Sequence, residues 1–236
     1  MKITFIGAAR CVTGSCILLE HEGLRILIDC GLPQGSDEKR SARELPFESD
    51  SIDYVLLTHA HIDHSGRLPL LAREEGTDRA FKGKIICTKA SAELCGIMLP
   101  DSAYIQQADA EWQTRKNLRS GKEAVQPLYD TIDAENILKY FCPKDYGEDV
   151  KLSDRITARF TDAGHMLGSS SITLEYMEKK QHRTIVFSGD IGNLNQPIIK
   201  DPEYLHKADY VVMESTYGDR IHTHNAKSTQ ELAQTL

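Results

Sequence analysis

The sequence predicts an α/β protein arranged as a four-layer α/β/β/α sandwich. Three observations carry that expectation. Short apolar strands gather towards the two ends of the 236-residue chain, helical periodicity fills the middle, and histidines and aspartates stand just beyond strand ends. With 40% hydrophobic and 27% charged residues, the composition is that of a globular chain able to build a real core in one or two domains. No apolar run approaches the ~20 residues that span a bilayer. Met1 leads straight into a strand, so neither a membrane span nor a signal peptide is expected. Six cysteines without a CxxC pair read as buried free thiols in a reducing, cytoplasmic setting. The formal charge of −7 argues against extended phosphate tracking. It leaves phosphodiester chemistry open, because bound divalent ions reverse the sign locally.

Residues 2–7, 15–20 and 24–29 read as strands of a meander, with a turn at Cys30-Gly31. Between the first two lies the small polar loop from Ala8 to Gly14, equally consistent with a phosphate pocket or a plain hairpin loop. Residues 33–50 read as surface loop with a short helix. The apolar run 52–57 is a strand, 67–75 a helix, and 84–88 another strand. From Ala90 to Arg119 the period is helical, with an interruption expected at Pro100 and a stop at Gly121. On that segment Trp112 is expected at the core edge, and Asp109 and Glu111 on a solvated face. Residues 133–140 predict a further helix ended by Cys142-Pro143, after which strands resume at 156–160, 171–176, 184–188 and 210–214.

The chemistry centres on Thr58-His59-Ala60-His61-Ile62-Asp63-His64, at the end of the 52–57 strand. Three imidazoles and a carboxylate within six residues match the ligand preferences of zinc and neighbouring metals. His59 and His61 sit two apart and can face the same side of a strand end, while Asp63 and His64 follow on the turn and can face a second ion. His165, on a glycine turn after the 156–160 strand, completes the first set. Asp190, just beyond the 184–188 strand, stands where a carboxylate can bridge two ions. Asp29 reads as the carboxylate that supports a ligating histidine. His21, His182, His206, His222 and His224 lie in charged segments and read as surface residues.

The His-x-His-x-Asp-His cluster resembles the signature of the metallo-β-lactamase superfamily, with Asp29, His165 and Asp190 in matching order. Val212-Met213-Glu214-Ser215-Thr216-Tyr217-Gly218-Asp219-Arg220 resembles the segment preceding the inserted domain of its β-CASP branch, which includes RNase J and the messenger-RNA 3′-end-processing endonuclease. The opening residues 6–16 and the stretch Asp101 to Gln106 also look like bacterial and archaeal members. The resemblance implies a metallo-β-lactamase-type sandwich over residues 1–220, incomplete because the β-CASP domain and the C-terminal return of the fold are absent. Residues 221–236 would be a linker and the start of a β-CASP helix. The chain is thus expected to be the N-terminal portion of a longer protein.

The resemblance further implies two Zn²⁺ ions, the first on His59, His61 and His165 and the second on Asp63, His64 and Asp190. A hydroxide between them would attack an RNA phosphodiester. Asp63 would orient it, and Glu214 would support a late histidine that protonates the leaving oxygen. That histidine is missing here, so the second site is expected to be weakened and activity low or absent. RNA is the implied substrate of the full-length protein, with homodimer or processing-complex partners and no membrane. The alternatives are a hydrolase of the same fold acting on a small ester or phosphodiester, and a non-catalytic pseudo-nuclease subunit.

Overall fold

A computed structural model describes residues 1–35, 44–73, 76–205, 207–220 and 233–234. The 221–236 segment therefore falls almost wholly outside the described residues, as do His206, His222 and His224. Strands β1 (Lys2–Gly7), β2 (Cys16–His21) and β3 (Leu24–Ile28) form the expected antiparallel meander. The chain then adds β4 (Tyr54–Leu56), β5 (Lys84–Thr88) and β6 (Phe141–Lys144) in parallel, giving the order β1-β2-β3-β4-β5-β6. A second sheet holds β7 (Val150–Ser153), β8 (Ile156–Asp162), β9 (Ser170–Glu178), β10 (Gln181–Phe187) and β11 (Tyr210–Val212), in the order β11-β10-β9-β8-β7. Its strands are antiparallel except for the β10–β11 pair.

Alternation along the first sheet explains the layering. Leu27, Val55, Ile85 and Cys87 point to one face and pack with Leu68, Leu71, Cys95 and Leu99 from the helical segments and Tyr129 from a loop. Ile26, Ile28, Leu56 and Ile86 point to the other face and meet Phe160, Ile172, Leu174, Ile185 and Phe187 of the second sheet. Both faces of the parallel strands are covered, which is why they read as continuous apolar runs. On the outer face of the second sheet stand the exposed Arg159 and Glu175, and the described helices all lie on the far side of the first sheet.

Several local expectations are corrected. Helix α2 (Lys89–Arg119) runs unbroken through Pro100. The proline forfeits one backbone hydrogen bond, and burial of Cys95, Leu99 and Ala103 around it outweighs that loss. Asp63 and His64 lie not on an irregular turn but in a four-residue helix, α1 (Ile62–Ser65), and the next element is the 3₁₀ turn Leu68–Ala72 containing Pro69. Residues 131–140 divide into α3 (Thr131–Asn136), closed by a capping box between Asp130 and Asp133, and a 3₁₀ turn. Cys142-Pro143 belongs to β6, where an edge strand tolerates proline, and β7 was not anticipated. Trp112 is 57% exposed rather than at a core edge. His21 is buried, not a surface residue: its Nε2 lies 3.0 Å from the Met177 carbonyl and its ring packs edge-on against Tyr176.

Phe160 is fully buried between the two sheets. Phe160→Ala is expected to cost about 3–5 kcal/mol, through lost transfer energy and the cavity left behind. Urea unfolding of the two chains measures it, and a loss under about 1 kcal/mol would contradict this inter-sheet core.

Candidate metal centre

Everything at the site begins with Asp29, which ends β3 in a left-handed conformation (φ 59°) and is 1% exposed. A buried carboxylate needs compensation, and this one is surrounded by it. Its Oδ1 accepts from the Thr58 backbone N–H at 2.8 Å. Its Oδ2 accepts from Thr58 Oγ1 at 3.0 Å and Ser15 Oγ at 3.1 Å, and lies 2.8 Å from His64 Nδ1. Thr58 Oγ1, having given its proton to Asp29, faces His59 Nδ1 at 3.0 Å as an acceptor. One carboxylate thereby fixes the orientation of two histidine rings and turns both Nε2 atoms towards the position of a ligand.

The motif loop is held from three directions. Ser15 N–H donates to the Asp63 carbonyl, Cys30 N–H to that of His64 and Leu32 N–H to that of Ile62. Gly31 sits so close that a Cβ there would overlap the Asp63 carbonyl, so the close approach requires glycine. The second sheet is tied in through Ser170, whose N–H and Oγ both donate to the Thr58 carbonyl at 2.9 Å. The turn bearing His165 is set by Ser169 Oγ, which accepts the His165 N–H at 3.0 Å. The Gly168 carbonyl of the same turn accepts from Thr88 and Ser91 at the start of α2.

The structure brings four predicted ligands together. One donor atom each from His59, His61, His165 and Asp190 lies within 4.8 Å of the others. His61 Nδ1 is 3.0 Å from His59 Nε2 and 3.2 Å from His165 Nε2. Asp190 Oδ2 is 3.5 Å from His165 Nε2 and 3.8 Å from His59 Nε2. Tetrahedral zinc with ligands at about 2.0–2.1 Å separates them from one another by roughly 3.3 Å, so this donor set fits such an ion. The other oxygen of Asp190, Oδ1, lies 3.2 Å from His64 Nε2. Asp63 Oδ2 is 3.8 Å from the same nitrogen. Asp190 thus divides its two oxygens between two groups of ligands.

Glu214 is not brought among these donors. Its Oε1 accepts from the Ile191 N–H at 2.8 Å, and its own N–H donates to Ser188 Oγ at 3.1 Å, so it braces the loop that carries Asp190. Sequence reasoning missed Thr58, Ser15, Ser169 and Ser170, the hydroxyls that orient the ligands. The only sign of them was their adjacency to the motif residues.

Protonation follows from the same geometry. Burial, reinforced by the neighbouring His64, pushes His59 down to about 2, which keeps it neutral as a ligand must be. Burial and His165 lower His61. Burial also works against a charged His64, but Asp29 and Asp190 outweigh it and lift His64 to about 10. Asp190, opposed by burial, is held well below the usual carboxylate range by His64.

A scan against protein families matches residues 9–81 to the metallo-beta-lactamase superfamily. Over its full length the chain is 36% identical to ribonuclease TTHA0252 of Thermus thermophilus, covering 48% of that protein. It is 32% identical over 94% of its length to a probable RNase MJ4 of Methanocaldococcus jannaschii, covering 47% of it. Against the transcription termination factor FttA of the same archaeon it is 30% identical over 92% of its length, covering 32%. Residues 9–81 thus match the metallo-β-lactamase superfamily, and along its length the chain is similar to proteins named as ribonucleases and to a transcription termination factor, of whose length it spans about half or less.

The two strong histidine shifts oppose one another in pH. His59 titrates lower folded than unfolded, so its contribution is present above about pH 6.5 and lost as acid drives the pH towards 2. His64 titrates higher folded than unfolded, so its contribution is present below about pH 6.5 and lost as the pH rises towards 10. In EDTA the chain is expected to melt highest near pH 6.5, and His64→Ala should flatten the limb between about pH 7 and 9. Thermal melts across that range are the measurement, and an alkaline limb unchanged in His64→Ala would assign the loss to other groups.

Proposed function

We propose that this chain carries the metal-binding half of a zinc-dependent ribonuclease that hydrolyses RNA phosphodiesters. The observation that carries the reading is the division of Asp190 between His59 and His165 on one side and His64 on the other. A carboxylate so placed suits two ions side by side, the first held by His59, His61 and His165 and the second by Asp63 and His64. Such a pair supplies a water of lowered pKa and positive charge against the attacked phosphate.

The chain's own residues do the rest. Asp29 and Thr58 hold the rings of His59 and His64 in the ligating orientation. Asp63, on the first turn of α1 beside His64, is placed to accept a proton from the attacking water and aim it. Glu214 keeps Asp190 in register through the Ile191 N–H, so its role in this chain is to position a ligand. The kinship with ribonucleases supports RNA over a small ester as substrate.

The second site draws on three protein groups, one of them shared with the first, and is therefore the weaker. About one zinc per chain is expected to survive gel filtration, with His59→Ala losing it and His64→Ala retaining it. Elemental analysis of the three chains tests this. No retained zinc in the wild-type chain after loading would overturn the metal assignment. RNA turnover by this chain is expected to be low, because only Asp63 and His64 serve the second site alone. Cleavage at about 1 s⁻¹ or faster, the range of ordinary enzymes, would overturn that expectation.

A further inference from the structure

A cleft of about 700 Å³ opens from the metal ligands His64 and Asp190 and runs between the ends of the two sheets. Its lining includes the carboxylates Asp29, Asp190, Glu214 and Asp219 and, away from His64 at the ligand end, one basic side chain, Arg10. Two metal ions would meet the phosphate at the ligand end. A polynucleotide also brings a neighbouring phosphate along the same cleft, past Glu214 and Asp219, where it is repelled unless a cation meets it. Arg10 is the one residue lining the cleft that can do so.

Three features of Arg10 point the same way. It is exposed, and among the described residues it makes no hydrogen bond or ion pair, although two surface carboxylates line the same cleft. Glu214 is occupied instead by the Ile191 N–H and Thr216 Oγ1. The backbone of Arg10 is left-handed (φ 63°), as is that of Ala8 (φ 48°), a conformation unfavourable to residues with a Cβ. Nothing in the packing of an exposed arginine repays that strain, and such strain gathers at ligand-binding positions. The loop is also anchored to the metal motif. Gly7 and Gly14 are pressed together at its base, Thr13 Oγ1 accepts the Gln34 N–H at 2.9 Å, and Ser15 N–H donates to the Asp63 carbonyl at 2.8 Å. The cation is therefore carried at a fixed place relative to the ligands.

We propose that Arg10 is a positioning residue whose guanidinium holds the RNA phosphate next to the one that faces the metal ligands. This rests on the ribonuclease reading above. Arginine suits the task because its planar fork meets two phosphate oxygens at once.

The test is binding of a labelled ten-nucleotide single-stranded RNA to the zinc-loaded chain, monitored by fluorescence anisotropy at several salt concentrations. Arg10→Ala and Arg10→Gly are expected to weaken binding roughly threefold to tenfold. The slope of log K against log salt should become shallower by about 0.7, the share of one phosphate contact on a single strand. Arg10→Lys should restore the slope but only part of the affinity, and Lys116→Ala, on the far half of α2, should change neither. Arg10→Gly also relieves the left-handed backbone and should raise Tm by about 2–4 °C, so its weaker binding cannot arise from unfolding. Wild-type affinity and slope in Arg10→Gly would overturn the role of Arg10 alone. A zinc-loaded wild-type chain that binds no RNA would overturn the ribonuclease reading, and this inference with it.

Discussion

The buried carboxylate of Asp29 is the constraint on which the site depends. Stripped of water, it must collect its hydrogen bonds from the protein, and it takes them from Thr58, Ser15 and His64. Those three come from the strand that delivers the motif, the β1–β2 loop and helix α1. One unsatisfied charge would be expensive, so the need to satisfy it brings three distant pieces of chain into a single arrangement. The left-handed backbone of Asp29 belongs to the same arrangement, since it turns the carboxylate back across the end of the sheet.

How much of this the sequence disclosed depends on the range over which each signal acts. Spacing within the His59–His64 cluster is local and survives in the chain order, so candidate ligands there could be named directly. His165 and Asp190 were recoverable because each follows an apolar strand, and strand ends in a two-sheet protein converge. Pro100 misled because local propensity predicts a break, whereas tertiary burial of Cys95, Leu99 and Ala103 decides the helix. β7 and β6 were missed because four-residue edge strands carry little periodicity. His21 sits in a charged segment but points inward to a carbonyl on a different sheet, a partner 156 residues away that no window could reveal. The hydroxyls of Thr58, Ser15, Ser169 and Ser170 were invisible for a similar reason, as serine and threonine are ordinary until their partners are known.

Glu214 illustrates how a carboxylate in a recognisable motif can act on backbone. In this chain it touches no ligand directly. Its contacts with Ile191 and Thr216 hold the loop beyond β10, and through that loop the orientation of Asp190. A carboxylate that fixes backbone in this way influences chemistry by geometry, and its removal loosens a ligand instead of deleting one.

The ligands divide between the two sheets, with His59, His61 and His64 following β4 of the first sheet and His165 and Asp190 following β8 and β10 of the second. An ion held by His59, His61 and His165 would consequently be a clasp across the sandwich as well as a cofactor. Its binding free energy adds to the cohesion of the inter-sheet core, as any ligand of the native state alone stabilises that state. Metal supply and the mechanical integrity of the domain would then be coupled. Without the ion the two sheets would rest on their apolar faces and on direct contacts such as Thr58–Ser170, Thr88–Gly168 and His21–Met177, and would open more readily to proteolysis.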